Sequence, residues 1–275
     1  MDKTLADKNQ DYWNDASKLV FKDKWVHDLQ AQISEFLKGN AEWIGIQTSD
    51  AENSGQTKLM DYACGNGIVS RSLHPHFSKC IGVDLSDGML DKYRATAADL
   101  GLDESRMIAI QGDLLAPTVK PTTPPLSEDE LNGFDLVAIC MALHHVEDID
   151  LATKRLAERL RPGGVLLIID WATRDSLNGT VKQPVMATGQ TSSENNHHHH
   201  HHHHHHQHHV DETINPKHPA AHTISHDSFS KDQIFSLFKQ AGCGESKFVL
   251  ANRLSPVPGA RSWEMQLFWA RATKL

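Results

Sequence analysis

Short apolar runs alternate with segments of helical periodicity along most of this sequence, and that alternation limits the fold more than any other feature. Five runs have the length and apolar character of buried strands, at residues 59–62, 80–84, 107–111, 134–140 and 165–170. Strands that alternate with helices usually form a parallel sheet with right-handed crossovers. The pattern therefore predicts an α/β fold built on such a sheet.

The last part of the chain departs from this alternation. A capping-box pattern, Ser230 with Gln233, begins a helix whose apolar face continues to Gly242. Two apolar segments follow, at residues 247–254 and 264–270, with only a short proline-containing connection between them. We therefore expect an antiparallel hairpin here rather than another crossover.

Two regions predict additions to the central domain. Apolar residues recur at helical spacing over residues 12–38, which predicts a helical cap at residues 1–50 ahead of a main domain at residues 51–275. Residues 172–226 are polar and contain a run of histidines, so we expect a flexible insertion or lid there.

The histidine run, at residues 197–206 with His208 and His209 beyond it, could bind zinc, nickel or copper. A flexible low-complexity tract is the alternative. We favour that alternative because the sequence shows no residues that would orient the histidines around an ion. We therefore predict no metal site.

Composition argues against several classes of function. Lys and Arg total 27 against 35 Asp and Glu, so the formal net charge of −8 gives no general attraction to nucleic acid or to an anionic membrane. The 4 cysteines are widely spaced, which predicts neither a disulfide framework nor a thiolate zinc site. Neither a secretory signal nor a membrane-spanning run is evident. We expect a soluble, cytoplasmic protein with a small-molecule substrate.

The first predicted strand ends in a glycine-rich turn, with the sequence DYACGNG at residues 61–67. Glycines at such a turn let a ligand approach bare backbone, and the free amides at the start of the following helix attract an anionic group. This turn alone is a weak signal, because a tight turn without a ligand has the same sequence pattern.

Acidic residues end the next two predicted strands. Asp84 follows the glycines at the distance where a carboxylate can accept hydrogen bonds from both hydroxyls of a ribose. Asp113 ends the third strand, where it can accept a hydrogen bond from the exocyclic amine of adenine or cap a helix or turn. The glycine turn and Asp84 alone also fit a nicotinamide dinucleotide, whereas Asp113 favours a different nucleoside ligand.

These motifs, in this order, resemble the class I S-adenosylmethionine-dependent methyltransferases, especially those that act on small molecules. The resemblance spans about residues 58–170 and uses the segments 61–67, 82–86, 112–114, 134–145 and 160–164. It implies a Rossmann-like sheet of seven mostly parallel strands in the order 3-2-1-4-5-7-6, with helices on both faces. It also implies S-adenosylmethionine as the cofactor.

The resemblance assigns residues to the methionine part of that cofactor. Asp61 would help to hold the methionine amino group, and Gly65 and Gly67 would admit the methionine chain. Cys140, at the end of the fourth strand, would offer backbone near the same part.

A second set would hold the nucleoside. Asp84 would bind the ribose, and Asp113 with Leu114 would hold the adenine edge. Leu85 and Met89 would flank the adenosine.

Two other residues of the glycine-rich turn complete the cofactor site that the resemblance implies, Ala63 and Asn66. Ala63 stands where the family usually has its first glycine. Binding would survive a local negative φ at Ala63, whereas a required positive φ would cost stability.

Two histidines, His144 and His145, follow the fourth strand and are the candidate catalytic residues. A histidine at this edge of the sheet could take a proton from the acceptor as the methyl group moves. A structural role beneath the site is the alternative. The substrate pocket is predicted to include Tyr12, Trp13 and Met141.

The sequence thus predicts a methyltransferase that moves the methyl group of S-adenosylmethionine to oxygen, nitrogen or carbon of a small organic acceptor and leaves S-adenosylhomocysteine. One alternative is a methyltransferase-like cofactor-binding or regulatory protein without transfer activity. A nicotinamide-dependent oxidoreductase is the third possibility, disfavoured by Asp113 and the closing hairpin.

Overall fold

A seven-stranded mixed sheet forms the centre of the protein, and the computed structural model describes residues 2–46, 57–116, 122–173, 215–216 and 218–275. The strand order is β3-β2-β1-β4-β5-β7-β6. Strands β1 to β5 pair in parallel, and β7 runs antiparallel to both of its neighbours. The strands are β1 Lys58–Tyr62, β2 Lys79–Asp84, β3 Met107–Gln111, β4 Phe134–Cys140, β5 Leu160–Trp171, β6 Cys243–Pro256 and β7 Glu264–Lys274. The predicted fold class, strand order and closing hairpin are confirmed.

Helices cover both faces of this sheet. Alternate residues of a strand point to opposite faces, so Leu59 packs in a core with the helices α2, α4 and α5, while Met60 packs in a second core with α6 and α7. The 3₁₀ turns include Val20–Lys22, Leu143–His145 and Ala221–Thr223. The α-helices are α1 Leu5–Ala16, α2 Lys24–Gly39, α3 Ala41–Ile44, α4 Ile68–Leu73, α5 Asp87–Asp99, α6 Ile149–Glu158 and α7 Lys231–Gln240.

The ends of several elements differ from the sequence-based expectation. Helix α1 begins at Leu5, well before the expected residue 12, because Thr4 and Asp7 form a capping box that satisfies its first amides. Strand β5 begins at Leu160 rather than at residue 165, because Leu160 pairs with Phe134 across an irregularity in the register. Local apolar patterns did not show either extension.

Part of the predicted insertion is packed against the sheet. The chain leaves β5 at Ala172, which forms a parallel bridge with Phe229. Ahead of Phe229, Thr223 is fully buried, and the backbone amides of Ser225 and His226 donate to the carbonyl of His144. The expected boundary at residue 226 therefore lies inside a packed segment. Residues 174–214, which include the histidine run, lie outside the described residues.

Two residues that directly follow strands adopt left-handed backbone without being glycine. Ala63 after β1 has a φ of 51°, and Met141 after β4 has a φ of 55°. Such a conformation costs an L-residue about 1–2 kcal/mol because Cβ approaches the backbone carbonyl. The positive φ considered for Ala63 is therefore present, and the surrounding fold holds this residue in a strained conformation.

Replacing Ala63 with glycine should relieve this strain. We expect Ala63→Gly to raise the free energy of unfolding by up to about 1 kcal/mol, since the gain exceeds the added chain entropy of glycine. Chemical denaturation followed by circular dichroism measures the change.

The matched control is Ala95→Gly in the exposed middle of α5, where the same change should lower the free energy of unfolding by about 1 kcal/mol. Equal losses in the two variants would show that Ala63 is not strained.

Candidate active site

A large cleft lies at the carboxyl ends of the parallel strands. Its volume is about 1740 Å³, above the roughly 300–1000 Å³ of ordinary small-molecule sites. The turns after β1, β2, β3 and β4 and the end of β5 line its floor, and α1, α2 and parts of residues 218–224 and 257–259 form its walls. Open α/β sheets bind ligands at this edge.

The turn after β1 brings bare backbone to the cleft. Gly65 lines the cleft with a φ of 52°, and its amide donates to Oδ2 of Asp84 at 3.0 Å. Gly67 does not line the cleft. It has a φ of 76°, and a Cβ at this position would lie 2.8 Å from the ring of Tyr93. Gly67 thus allows α4 and α5 to pack closely, a role that differs from the ligand contact predicted for it.

Asp61 lies beneath the turn, away from the cleft surface. Its buried carboxylate accepts hydrogen bonds from the amide and the hydroxyl of Ser70, at 3.0 and 2.8 Å. Burial raises the pKa of Asp61 to about 7, against these two hydrogen bonds. The structure therefore places Asp61 as a support for the β1–α4 turn. Asp61 does not line the cleft, where the predicted contact with the methionine amino group would be made.

Asp84 is the carboxylate that the structure delivers to the cleft from β2. Besides the amide of Gly65, it accepts a hydrogen bond from the amide of Ser86 at 2.9 Å. Burial raises the pKa of Asp84 to about 6, and the backbone hydrogen bonds oppose that shift. Leu85 and Met89, the residues predicted to flank the adenosine, line the same cleft.

Asp113 reaches the cleft from β3 and also performs the alternative role considered for it. Its Oδ1 accepts hydrogen bonds from the backbone amides of Leu115 and Ala116, each at 3.0 Å, and so caps the turn. The hydroxyl of Tyr62 lies 3.4 Å from the same oxygen. Leu114 is fully buried and does not line the cleft, so only Asp113 of this predicted pair is placed to meet a ligand.

Asn66 joins the turn after β1 to the N-terminal helices. Its side chain exchanges hydrogen bonds with that of Gln30 on α2, at 3.0 and 3.1 Å. Asn66 and Ala63 both line the cleft. The predicted turn residues that reach the cleft are therefore Ala63, Gly65 and Asn66.

The end of β4 contributes a different kind of surface. Cys140 and Met141 line the cleft there, followed by the two histidines. His144 is buried, and its Nδ1 lies 2.8 Å from Oδ1 of Asp170, a fully buried residue at the end of β5. The other oxygen of Asp170 accepts the amide of His144 at 3.2 Å. This carboxylate holds the imidazole so that Nε2 is the nitrogen able to accept a proton.

His145 is held differently. Its Nδ1 lies 2.8 Å from the backbone carbonyl of Thr223, which can only accept, so the ring proton is on Nδ1. Burial and the neighbouring His144 ring lower the pKa of His145 well below its usual range. The two rings lie 4.1 Å apart, and both line the cleft. His145 is therefore a neutral ring, whereas His144 has a carboxylate that can stabilise an imidazolium.

Helix α1 closes the cleft from above. The ring of Trp13 meets His145 edge-on at 5.4 Å, and Tyr12 meets His222 at 5.5 Å. Asn9, buried on the same helix, donates to the carbonyl of Thr223 at 3.2 Å. The predicted pocket residues Tyr12, Trp13 and Met141 all line the cleft.

Two side chains of the site, Asp170 and Asn9, were not predicted from the sequence. Asp170 carried a signal, since it is a lone acid at the carboxyl end of a buried strand, where ligands bind in this kind of sheet. Asn9 carried none, because the two partners that tie it to the rest of the fold are 136 and 214 residues away along the chain.

Among the residues that the structure describes, Asp and Glu line the cleft and Lys and Arg do not. The Asp and Glu side chains occur both on its floor and at its rim. The described part of the chain also contains no group of three or more His, Cys, Asp or Glu placed to hold a metal ion. No helix within that part combines the length and apolar character needed to cross a bilayer.

The central part of the chain is similar to known sequences. Residues 60–166 match the family described as methyltransferase domain. An uncharacterized methyltransferase of Schizosaccharomyces pombe is 30% identical over 121 residues, which are 41% of this chain and 38% of that protein. A ubiquinone biosynthesis O-methyltransferase of Idiomarina loihiensis is 25% identical over 176 residues, 64% of each chain. The chain thus matches less than two thirds of the length of these curated relatives.

The fold of this chain is similar to those of solved methyltransferase structures. Magnesium protoporphyrin IX methyltransferase of Synechocystis, crystallised with bound SAM, has a TM-score of 0.59 at 13% identity, covering 100% of this chain and 99% of that one. A SAM-dependent methyltransferase of Thermotoga maritima has a TM-score of 0.51 at 13% identity, with 96% and 100% covered. In the sequence of residues 60–166 and in its fold, this chain is therefore similar to the class I S-adenosylmethionine-dependent methyltransferases, as its motifs predicted.

Proposed function

We propose that this protein is a methyltransferase that uses S-adenosylmethionine and acts on a hydroxyl of a small organic acceptor. One observation supports the proposal above all others. A single cleft brings together the bare backbone at Gly65, the half-buried carboxylate of Asp84 and the Asp113 carboxylate, from three adjacent strands. Such a set of groups suits the binding of an adenosine that carries a short zwitterionic chain.

The donor and acceptor chemistry of the cleft fits that cofactor. Asp84 can accept hydrogen bonds from two ribose hydroxyls, and Asp113 can accept one from an adenine amine. S-Adenosylmethionine carries a sulfonium cation, and the described residues set no Lys or Arg against it in the cleft. When bound, this cofactor supplies a methyl group already activated for transfer by its positive sulfur.

The chain itself then has to orient the acceptor and remove a proton. Alignment of two bound reactants can contribute about 7–11 kcal/mol, more than a single proton-transfer group supplies. Among the candidate bases, His144 is favoured over His145, because Asp170 can stabilise the imidazolium that forms when Nε2 takes the hydroxyl proton. Asp170 is then a positioning residue.

The regulatory alternative depends on cofactor binding without transfer. Its sequence support was Ala63 together with the long insertion at residues 172–226, and the fold tolerates Ala63 at a positive φ. We therefore favour the enzyme, and the two functions are separated by whether any acceptor is methylated by protein that binds the cofactor product.

Binding of the cofactor product should depend on the charge of Asp84. Because the ligand hydroxyls would donate to the ionised carboxylate, binding favours loss of its proton, whose pKa in the free protein is about 6. We expect the affinity for S-adenosylhomocysteine to fall roughly tenfold for each pH unit below about 6. Titration calorimetry between about pH 5 and pH 7 measures this dependence.

Two variants test the assignment to Asp84. Asp84→Asn should bind weakly with an affinity that no longer changes over this range, because the amide does not ionise. The matched control, Glu147→Gln at the exposed rim, should keep the slope of the unchanged protein. A slope that persists in Asp84→Asn would remove Asp84 from the site.

The two histidines should differ in their effect on turnover. We expect His144→Gln to lower kcat by about 10²–10⁴, since glutamine can donate to Asp170 but cannot accept the proton. His145→Gln, which can still donate to the Thr223 carbonyl, should lower kcat far less. A labelled-methyl screen over small hydroxylated molecules provides the acceptor for this measurement.

Asp170→Asn should lower kcat, leave the affinity for S-adenosylhomocysteine unchanged, and alter the pH profile of kcat, because the amide no longer stabilises an imidazolium. Equal losses in His144→Gln and His145→Gln, with Asp170→Asn active, would contradict His144 as the base.

A further inference from the structure

The cleft has two chemically different ends, and the strand order separates them. Strands β2 and β3 lie on one side of β1 and deliver Asp84 and Asp113; we call this the carboxylate end. Strands β4 and β5 lie on the other side and deliver His144 and Trp171; we call this the histidine end. If the proposed function is correct, the nucleoside occupies the carboxylate end, and the acceptor is left with the histidine end.

The wall beside the histidine end is mainly apolar and aromatic. Trp13 of α1 meets His145 edge-on at 5.4 Å, and Met141 and Trp171 line the cleft at the ends of β4 and β5. Trp25 of α2 and Val257 after β6 also line the cleft. Trp171 and Val257 are buried, and the other three are half-buried. Aromatic rings of this kind stabilise a bound ligand, because its apolar surface is removed from water.

Charged groups at the rim add a selection against anions. Asp15, Asp23 and Glu147 line the cleft at exposed positions. No Lys or Arg of the described residues lines the cleft, so these residues offer no such ion-pair partner to an acceptor carboxylate or phosphate. Like charge at the entrance also slows the approach of an anion.

From this arrangement we propose that the acceptor is a bulky, mainly apolar molecule that carries a hydroxyl and no negative charge. This inference rests on the proposed function, and it names the substrate class. The apolar wall holds the body of the molecule, and the two histidines meet its hydroxyl. Rim carboxylates discriminate against acidic analogues of similar shape.

A pair of probes that differ by one carboxylate tests the substrate class without requiring turnover. Naphthol is neutral and apolar with one hydroxyl, and hydroxynaphthoate adds a carboxylate to the same rings. Protein saturated with S-adenosylhomocysteine is titrated with each probe, and calorimetry gives the affinities. We expect naphthol to bind at least about tenfold more tightly than hydroxynaphthoate, because burying a carboxylate without a cationic partner costs free energy.

Two variants address the two sources of that preference. Glu147→Lys should improve the affinity for hydroxynaphthoate severalfold and leave that for naphthol unchanged, because only the charge of an exposed rim residue changes. The matched control, Asp99→Lys on an exposed turn of α5 outside the cleft, should alter neither affinity. Trp13→Ala, which removes the ring beside His145, should weaken the binding of naphthol about tenfold and leave the affinity for S-adenosylhomocysteine unchanged.

The outcomes separate this inference from the function on which it rests. Equal binding of the two probes, tighter binding of hydroxynaphthoate, or binding of neither probe overturns the substrate class while S-adenosylhomocysteine still binds. Failure of S-adenosylhomocysteine to bind overturns the proposed function and this inference with it.

Discussion

Parallel pairing of β1 with β2 on one side and with β4 on the other places the chemistry of this protein at one edge of its sheet. Tyr62 at the end of β1 is in register with Val83 and Ile139, so three turns emerge at the same level. The hydrogen bond from the Gly65 amide to Asp84 then links two of these turns directly. A change in register would separate the backbone turn from the carboxylate, since side chains alternate faces along a strand.

Much of this edge could be predicted because it is encoded locally. Strands buried on both faces are continuous apolar runs, and each run here ends at a residue able to meet a ligand. The roles of individual residues were harder to predict, because they depend on packing. Gly67 faces the ring of Tyr93, and Asp61 is turned toward Ser70, so neither lines the cleft. A glycine or an acid in a motif does not reveal which neighbour fills the space beside it.

Contacts distant in sequence were beyond prediction for a different physical reason. Thr223 accepts hydrogen bonds from Asn9 of α1 and from His145, and so joins three separate parts of the chain above the cleft. None of these residues has a local pattern that predicts its partners. The same is true of the His144–Asp170 pair, which forms only because β4 and β5 are neighbours in the sheet. The sequence could suggest a basic histidine but could not decide between the two.

The parallel bridge between Ala172 and Phe229 means that the chain leaves the sheet and returns to it at adjacent points. The ends of the intervening segment are therefore held together by β5 itself, with the Phe229 amide bonded to Trp171 and the Thr173 amide to Phe229. The positions of Thr173 and Phe229 relative to each other are thus set by the sheet, and they do not depend on how many residues the sequence carries between them.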